Sequence, residues 1–246
     1  MHDDDVSSPV LGRRQILRSA GALGLMGLIA GSVPLTALAN AARSSDPDLA
    51  LADEIDDLTI QGMCSLTPTE TFGPYYLDLD LVRRDITEGY PGLPTRLLIQ
   101  VVSSSDCTPI PGAAVGVWQC NAAGIYSGFA NQGTEGQTFL RGIQLTNADG
   151  QVAFDTIYPG WYTGRTTHIH VKIRPTQTSE VTTQMYFKQG LNNRVNARDP
   201  YSDHGPNPTR NTDDRLFLPE TIMTVLPPRA GRFRVSMVIG INDPQG

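Results

Sequence analysis

The chain has 246 residues, 39% hydrophobic and 18% charged, with a formal net charge of -6 at pH 7. That balance supports a folded core and excludes a disordered chain, and the acidity excludes the basic footprint of a nucleic-acid-binding protein. The 24 Gly and 18 Pro are scattered without a short period, which excludes collagen and points to frequent turns.

Arg13 and Arg14 precede an apolar stretch, rich in Gly and Ala, from Ala20 to Ala39. It ends Ala37-Leu38-Ala39, a small-x-small cleavage pattern. The run Arg13-Arg14-Gln15-Ile16-Leu17-Arg18 resembles a twin-arginine export signal. Residues 1–39 are therefore read as a signal peptide cut after Ala39. The alternative is an uncleaved anchor, against which Pro34 and the small residues weigh. No other segment approaches the ~18 apolar residues that a span needs, so the mature protein is expected to be periplasmic or extracellular with no membrane span. Residues 40–62 are polar and acidic, including Asp53-Glu54-Ile55-Asp56-Asp57, and read as a loose arm with a short helix over 49–58.

Three cysteines remain, Cys64, Cys107 and Cys120, so one stays outside any single bridge within the chain. Cys64 precedes a loop, Cys107 sits in the turn Asp106-Cys107-Thr108-Pro109, and Cys120 closes a strand-like run. Sequence cannot fix the connectivity, and the Cys64–Cys107 pairing is favoured.

From Arg96 onward short apolar or alternating runs lie between turns. Strands are predicted over 97–102, 113–119, 151–157, 168–173, 182–187 and 233–239, the third following the turn Asn147-Ala148-Asp149-Gly150. Helical periodicity is scarce. The fold class is mostly β: a β-sandwich of short antiparallel strands with long loops, forming one domain over 63–246. Residues 188–230, rich in Asn, Asp, Arg and Pro, read as long surface loops with a short helix over 192–197.

Of four histidines, two form His168-Ile169-His170 on a predicted strand, where residues two apart share a face. Such a pair is half of a metal site, or an ordinary polar face. No carboxylate accompanies it locally. Tyrosines do: Tyr158-Pro159-Gly160-Trp161-Tyr162 lies just upstream, and Trp118-Gln119-Cys120-Asn121-Ala122-Ala123-Gly124-Ile125-Tyr126 ends in another. Any anionic ligands would be phenolates. Trp118 is expected in the core, while Tyr158 and Trp161 either line a pocket or pack.

These motifs, with Arg165 three residues before His168, resemble the intradiol ring-cleavage dioxygenases, the family of protocatechuate 3,4-dioxygenase and catechol 1,2-dioxygenase. The resemblance runs from about Leu66 to Ile241. It implies a non-haem Fe(III) held by Tyr126, Tyr162, His168 and His170, with a catechol-type substrate and O2 as reaction partners. The ring would open between its two hydroxylated carbons to give a muconate-type diacid. Tyr162 is similar to the ligand that leaves when substrate binds, and Tyr126 to the one that stays. Arg165 would stabilise anionic charge on the ring, Gln184 would support the site, and Gly73, Pro74 and Tyr75 would line the substrate pocket. Tyr162 and His168 are only six residues apart, closer than in the better-known members, which implies a more open pocket.

Overall fold

A computed structural model describes residues 64–176 and 179–242. The signal peptide and the acidic arm lie outside the described residues. Eight strands form two four-stranded sheets. In chain order they are β1 (Pro94–Ser103), β2 (Ala114–Trp118), β3 (Arg141–Leu145), β4 (Gln151–Ile157), β5 (His168–Arg174), β6 (Val181–Tyr186), β7 (Thr224–Arg229) and β8 (Arg232–Ile241). The first sheet has the order β4-β1-β8-β7 and the second β3-β2-β5-β6. Among the described residues one α-helix, α1 (Gln189–Asn196), follows β6.

The sandwich follows from alternation. Ile99 and Val101 of β1, Val235 and Ile239 of β8 and Phe154 of β4 point inward from the first sheet. Val115 and Val117 of β2, with Ile169, Val171 and Ile173 of β5, meet them from the second. These are every-other residues of β-branched or aromatic type, the pattern that buries one face of a pleated strand. Each such side chain contributes about 1.5–3 kcal/mol when withdrawn from water.

Two features depart from an all-antiparallel arrangement of short strands. Strands β1 and β8 are ten residues each and pair parallel, Thr95 opposite Phe233 through Ser103 opposite Ile241. The remaining strand pairs are antiparallel. Strands β3 and β7 were not predicted, and both are edges. Strand β7 carries Pro227 and Pro228 beside a register shift between Leu226 and Arg229, and only Leu226 of it is buried. Proline is tolerated there because an edge strand need not donate on both sides. Residues 188–230 also differ from the expected surface loops. The expected short helix is there as α1, but they also hold three short 3-10 segments and β7, and they bury Asn192, Asn196, Asn211, Asp214 and Thr221.

The segment before β1 stitches the sheets together. Leu66 bridges Gly240 on β8, Val82 bridges Ile143 on β3, and Asp85 bridges Asp155 on β4. Its start is fixed covalently: Cys64 and Cys107 form a disulfide with Cα atoms 5.2 Å apart, while Cys120 is free and buried. The bridge spans 43 residues of sequence. Removing it by Cys64→Ser with Cys107→Ser is expected to lower unfolding free energy by about 2–4 kcal/mol in urea titration. Cys120 is expected to react with a thiol reagent only after unfolding.

Candidate metal and substrate site

Because Ile169, Val171 and Ile173 face the core, His168, His170 and Lys172 face the opposite side of the second sheet. Both histidines are nevertheless almost fully buried, because the segment before β1 and the loops after β2 and β4 cover that face. Across the ladders His170 lies between Trp118 on β2 and Gln184 on β6, and His168 pairs with Tyr186. The Trp118 indole stacks on the His170 ring at 4.8 Å with planes 5° apart, so it supports the imidazole from one side. Tyr158, in contrast, packs in the core, its hydroxyl bonded to Asn192, and Trp161 packs at a tilt against His204 in the loops.

Tyr126 and Tyr162 are delivered by the loops after β2 and β4. Thr134 donates to the Tyr126 carbonyl at 2.6 Å, and the Tyr126 amide donates to Gln132. Arg141 on β3 anchors the next residue, donating to both the hydroxyl and the carbonyl of Ser127. The two loops then meet backbone to backbone. A Cβ on Gly160 would stand 2.4 Å from the Ala122 carbonyl oxygen, and one on Gly124, at φ +79°, 2.0 Å from the Trp161 oxygen. Only glycine permits that approach.

The four polar side chains converge. His168 Nε2 is 3.2 Å from His170 Nε2 and 3.4 Å from the Tyr162 hydroxyl. The Tyr126 ring lies 5.7 Å from that of Tyr162 and 6.4 Å from that of His170. His168 Nδ1 faces the Thr166 carbonyl at 2.6 Å. A carbonyl only accepts, so Nδ1 carries the hydrogen and Nε2 presents a lone pair. The Tyr126 hydroxyl is buried and makes no hydrogen bond among the described residues.

Electrostatics point the same way. Burial pushes Tyr126 well above the usual phenol range and Tyr162 up to about 12, with Arg165 pulling the latter back. Burial, then the Arg165 charge, holds His168 down to about 3, and burial with His168 nearby holds His170 well below its ordinary value. Two neutral imidazoles and two phenols, one with an orphaned oxygen, fit a hard cation that would ionise the phenols. His, Cys, Asp and Glu alone form no cluster of three among the described residues, so the tyrosines are needed to complete a donor set.

Arg165 sits beside this group. Its Nε bonds Asp214 at 2.9 Å, its Nη1 lies 3.4 Å from the Tyr162 hydroxyl, and its Nη2 donates to Gln184 Oε1 and, at 3.2 Å, to the Tyr186 hydroxyl. Gln184 Nε2 donates to the Thr71 carbonyl, tying the covering segment to β6. In that segment Tyr75 stacks on Tyr126 at 4.4 Å and meets Tyr162 edge-on at 5.5 Å. A Cβ on Gly73 would lie 3.2 Å from His170 Cε1. Pro74 is exposed in the intervening turn.

Sequence reading missed Asp214, Tyr186 and Glu70. Asp214 also accepts from the amides of Thr166 and Leu216, so it fixes Arg165 from a loop 49 residues away. No local pattern marks it. Tyr186 could have been found, because it shares a strand face with Gln184.

The described architecture has known counterparts. A family model described as a dioxygenase matches residues 72–193. An intradiol ring-cleavage dioxygenase from Tetranychus urticae is 31% identical, covers 73% of this chain and 95% of its own, and superposes with a TM-score of 0.68. The dioxygenase domain of a carbohydrate-binding fusion protein from Streptomyces sp. SirexAA-E is 30% identical over 72% of this chain and 99% of that one, with a TM-score of 0.57. Catechol 1,2-dioxygenase of Candida albicans is 30% identical over 143 residues, 49% of this chain and 46% of that protein. The chain spans from a third to a little over half the length of the curated relatives it matches.

The loop contact gives a test. Gly160→Ala is expected to cost about 1–3 kcal/mol in urea unfolding, because backbone must move. Gly116→Ala on β2, where a Cβ would meet nothing closer than 3.6 Å, is expected to leave stability nearly unchanged.

Proposed function

Because the chain belongs to the intradiol ring-cleavage dioxygenase family, we propose that it opens a catechol-type ring with O2 between the two hydroxylated carbons, yielding a muconate-type diacid. The cofactor in this reading is a non-haem Fe(III), with Tyr126, Tyr162, His168 and His170 as its ligands. The observation that carries it is the convergence of two phenols and two imidazoles on one buried sheet face, with the Tyr126 oxygen unpartnered. Two phenolates favour a hard trivalent ion over a softer divalent one. When bound, that ion supplies a chelation point for both substrate oxygens and withdraws electron density from the ring.

The chain's own groups divide the remaining work. Tyr126 is fully buried beneath Tyr75 and stays in place. Tyr162 is only partly buried and lies within reach of the Arg165 guanidinium. It is the phenol able to swing away and take up a substrate proton. Arg165, held by Asp214 and Gln184, faces the position where anionic charge develops on the ring, a preorganised stabilisation that costs no reorganisation during reaction. Tyr75 and Gly73 form the wall beside the ligands. The catechol reading of the substrate is supported by the named activity of the Candida albicans relative. The same reading sends the enzyme out of the cytoplasm, on the strength of Arg13, Arg14 and the Ala37-Leu38-Ala39 pattern.

The visible spectrum of purified protein supplied with iron tests this. A coloured protein whose band shifts when catechol is added without O2 is expected. Tyr126→Phe is expected to abolish most of the colour and to lower kcat/KM by more than about 100-fold. A protein that stays colourless with iron and retains stoichiometric zinc or copper would sink the assignment.

A further inference from the structure

Glu70 lies in the covering segment, outside the set of groups used above. Its backbone amide donates to the Thr182 carbonyl on β6, which fixes it over that strand. Its Oε2 is 3.0 Å from the Tyr186 hydroxyl, and its Oε1 is buried and makes no hydrogen bond among the described residues.

The hydrogens around Tyr186 can be counted. Its hydroxyl oxygen has four polar neighbours: the Leu216 carbonyl at 2.8 Å, Glu70 Oε2 at 3.0 Å, Gln184 Oε1 at 3.2 Å and Arg165 Nη2 at 3.2 Å. Arg165 can only donate, and the Leu216 and Gln184 oxygens can only accept. Gln184 Oε1 already accepts from Arg165. The phenol has a single proton and cannot serve both Leu216 and Glu70. An ionised Glu70 would then leave one of these two short contacts with lone pair against lone pair. A protonated Glu70 donates to Tyr186 and closes the count: one bond given, two received.

We propose that Glu70 is a neutral carboxylic acid near neutral pH and, through Tyr186, a positioning residue for Arg165. The functional half of this rests on the dioxygenase reading, in which Arg165 stabilises anionic charge. The charged and titratable groups facing Glu70 are Tyr186 from β6, Arg165 from the loop before β5 and Asp214 from the loop before β7. Arg165 and Asp214 balance each other. Neutral Glu70 preserves that balance, whereas ionised Glu70 makes the cluster net negative and opposes charge building on the ring. Burial raises the Glu70 carboxyl to about 7, against the opposing pull of the Tyr186 hydrogen bond and the Arg165 charge.

The sign of the stability effect follows. The folded chain keeps this proton while the unfolded chain releases it, so stability falls as pH rises from the ordinary carboxyl range to about 7 and levels off above. Glu70→Gln imitates the neutral acid and keeps a donor for Tyr186. In full-length protein, the melting temperature of Glu70→Gln relative to wild type is expected to be higher at pH 8 than at pH 5. An equal difference at both pH values overturns the proposal. This comparison needs neither turnover nor metal, so it stands apart from the dioxygenase reading, which fails separately if no catechol is consumed. With catechol as substrate, wild-type kcat/KM is expected to fall several-fold as pH rises through about 7, and this limb is expected to vanish in Glu70→Gln. An unchanged limb overturns the positioning role. Should Glu70→Gln fail to fold, the infrared spectrum of the wild type decides: a neutral-carboxyl band persisting at pH 6 supports the proposal, and its absence overturns it.

Discussion

Strand β5 has two incompatible faces. Ile169, Val171 and Ile173 are anchored in the sandwich core, and the pleat then sends His168 and His170 to the other side without freedom of choice. A one-residue slip would bury two imidazoles among aliphatic side chains and set the isoleucines among the polar groups of the site. The hydrophobic pairing between sheets is therefore what holds the two imidazoles side by side, and everything else at the site is arranged around that fixed pair. Trp118 and Gln184 flank His170 because they occupy the same cross-strand row on neighbouring strands.

A sheet face bearing histidines would ordinarily be open to water. Here the segment before β1 and two long loops cover it, and the cost appears as perturbed side chains. Phenols that resist ionisation, imidazoles that resist protonation and a phenol oxygen without a partner are unfavourable in isolation. They become favourable together around a cation. Arg165 adds a permanent positive charge at the margin, which would be expensive in so enclosed a place without Asp214 at 2.9 Å.

The strands that build the core were legible in the sequence because they alternate: residues 151–157 and the start of β5 at His168 stand where the pattern put them. The edges β3 and β7 were not, since an edge with few buried side chains leaves no period to read. The parallel pairing of β1 with β8 is a long-range choice that neither strand's own residues encode. At the site, the His pair and the two tyrosines stood out through motif spacing. Of the side chains that hold Arg165, Gln184 was legible and Asp214 was not, because Asp214 reaches the arginine through folding alone, from a segment far along the chain.

The contact between the loop after β2 and the loop after β4 has a bearing on how such a site can diversify. Carbonyls pressed against Gly124 and Gly160 make the tyrosine-bearing parts of the two loops a single block, so an insertion between either glycine and its tyrosine would separate Tyr126 from Tyr162. Length variation can then fall elsewhere around the rim: between Tyr162 and His168, in the turn at Pro74 and Tyr75, or in the loop around His204 that packs on Trp161. Those stretches can change shape while the four converging donors keep their places. The fold thereby separates the part of the rim that is free to change from the part that is not.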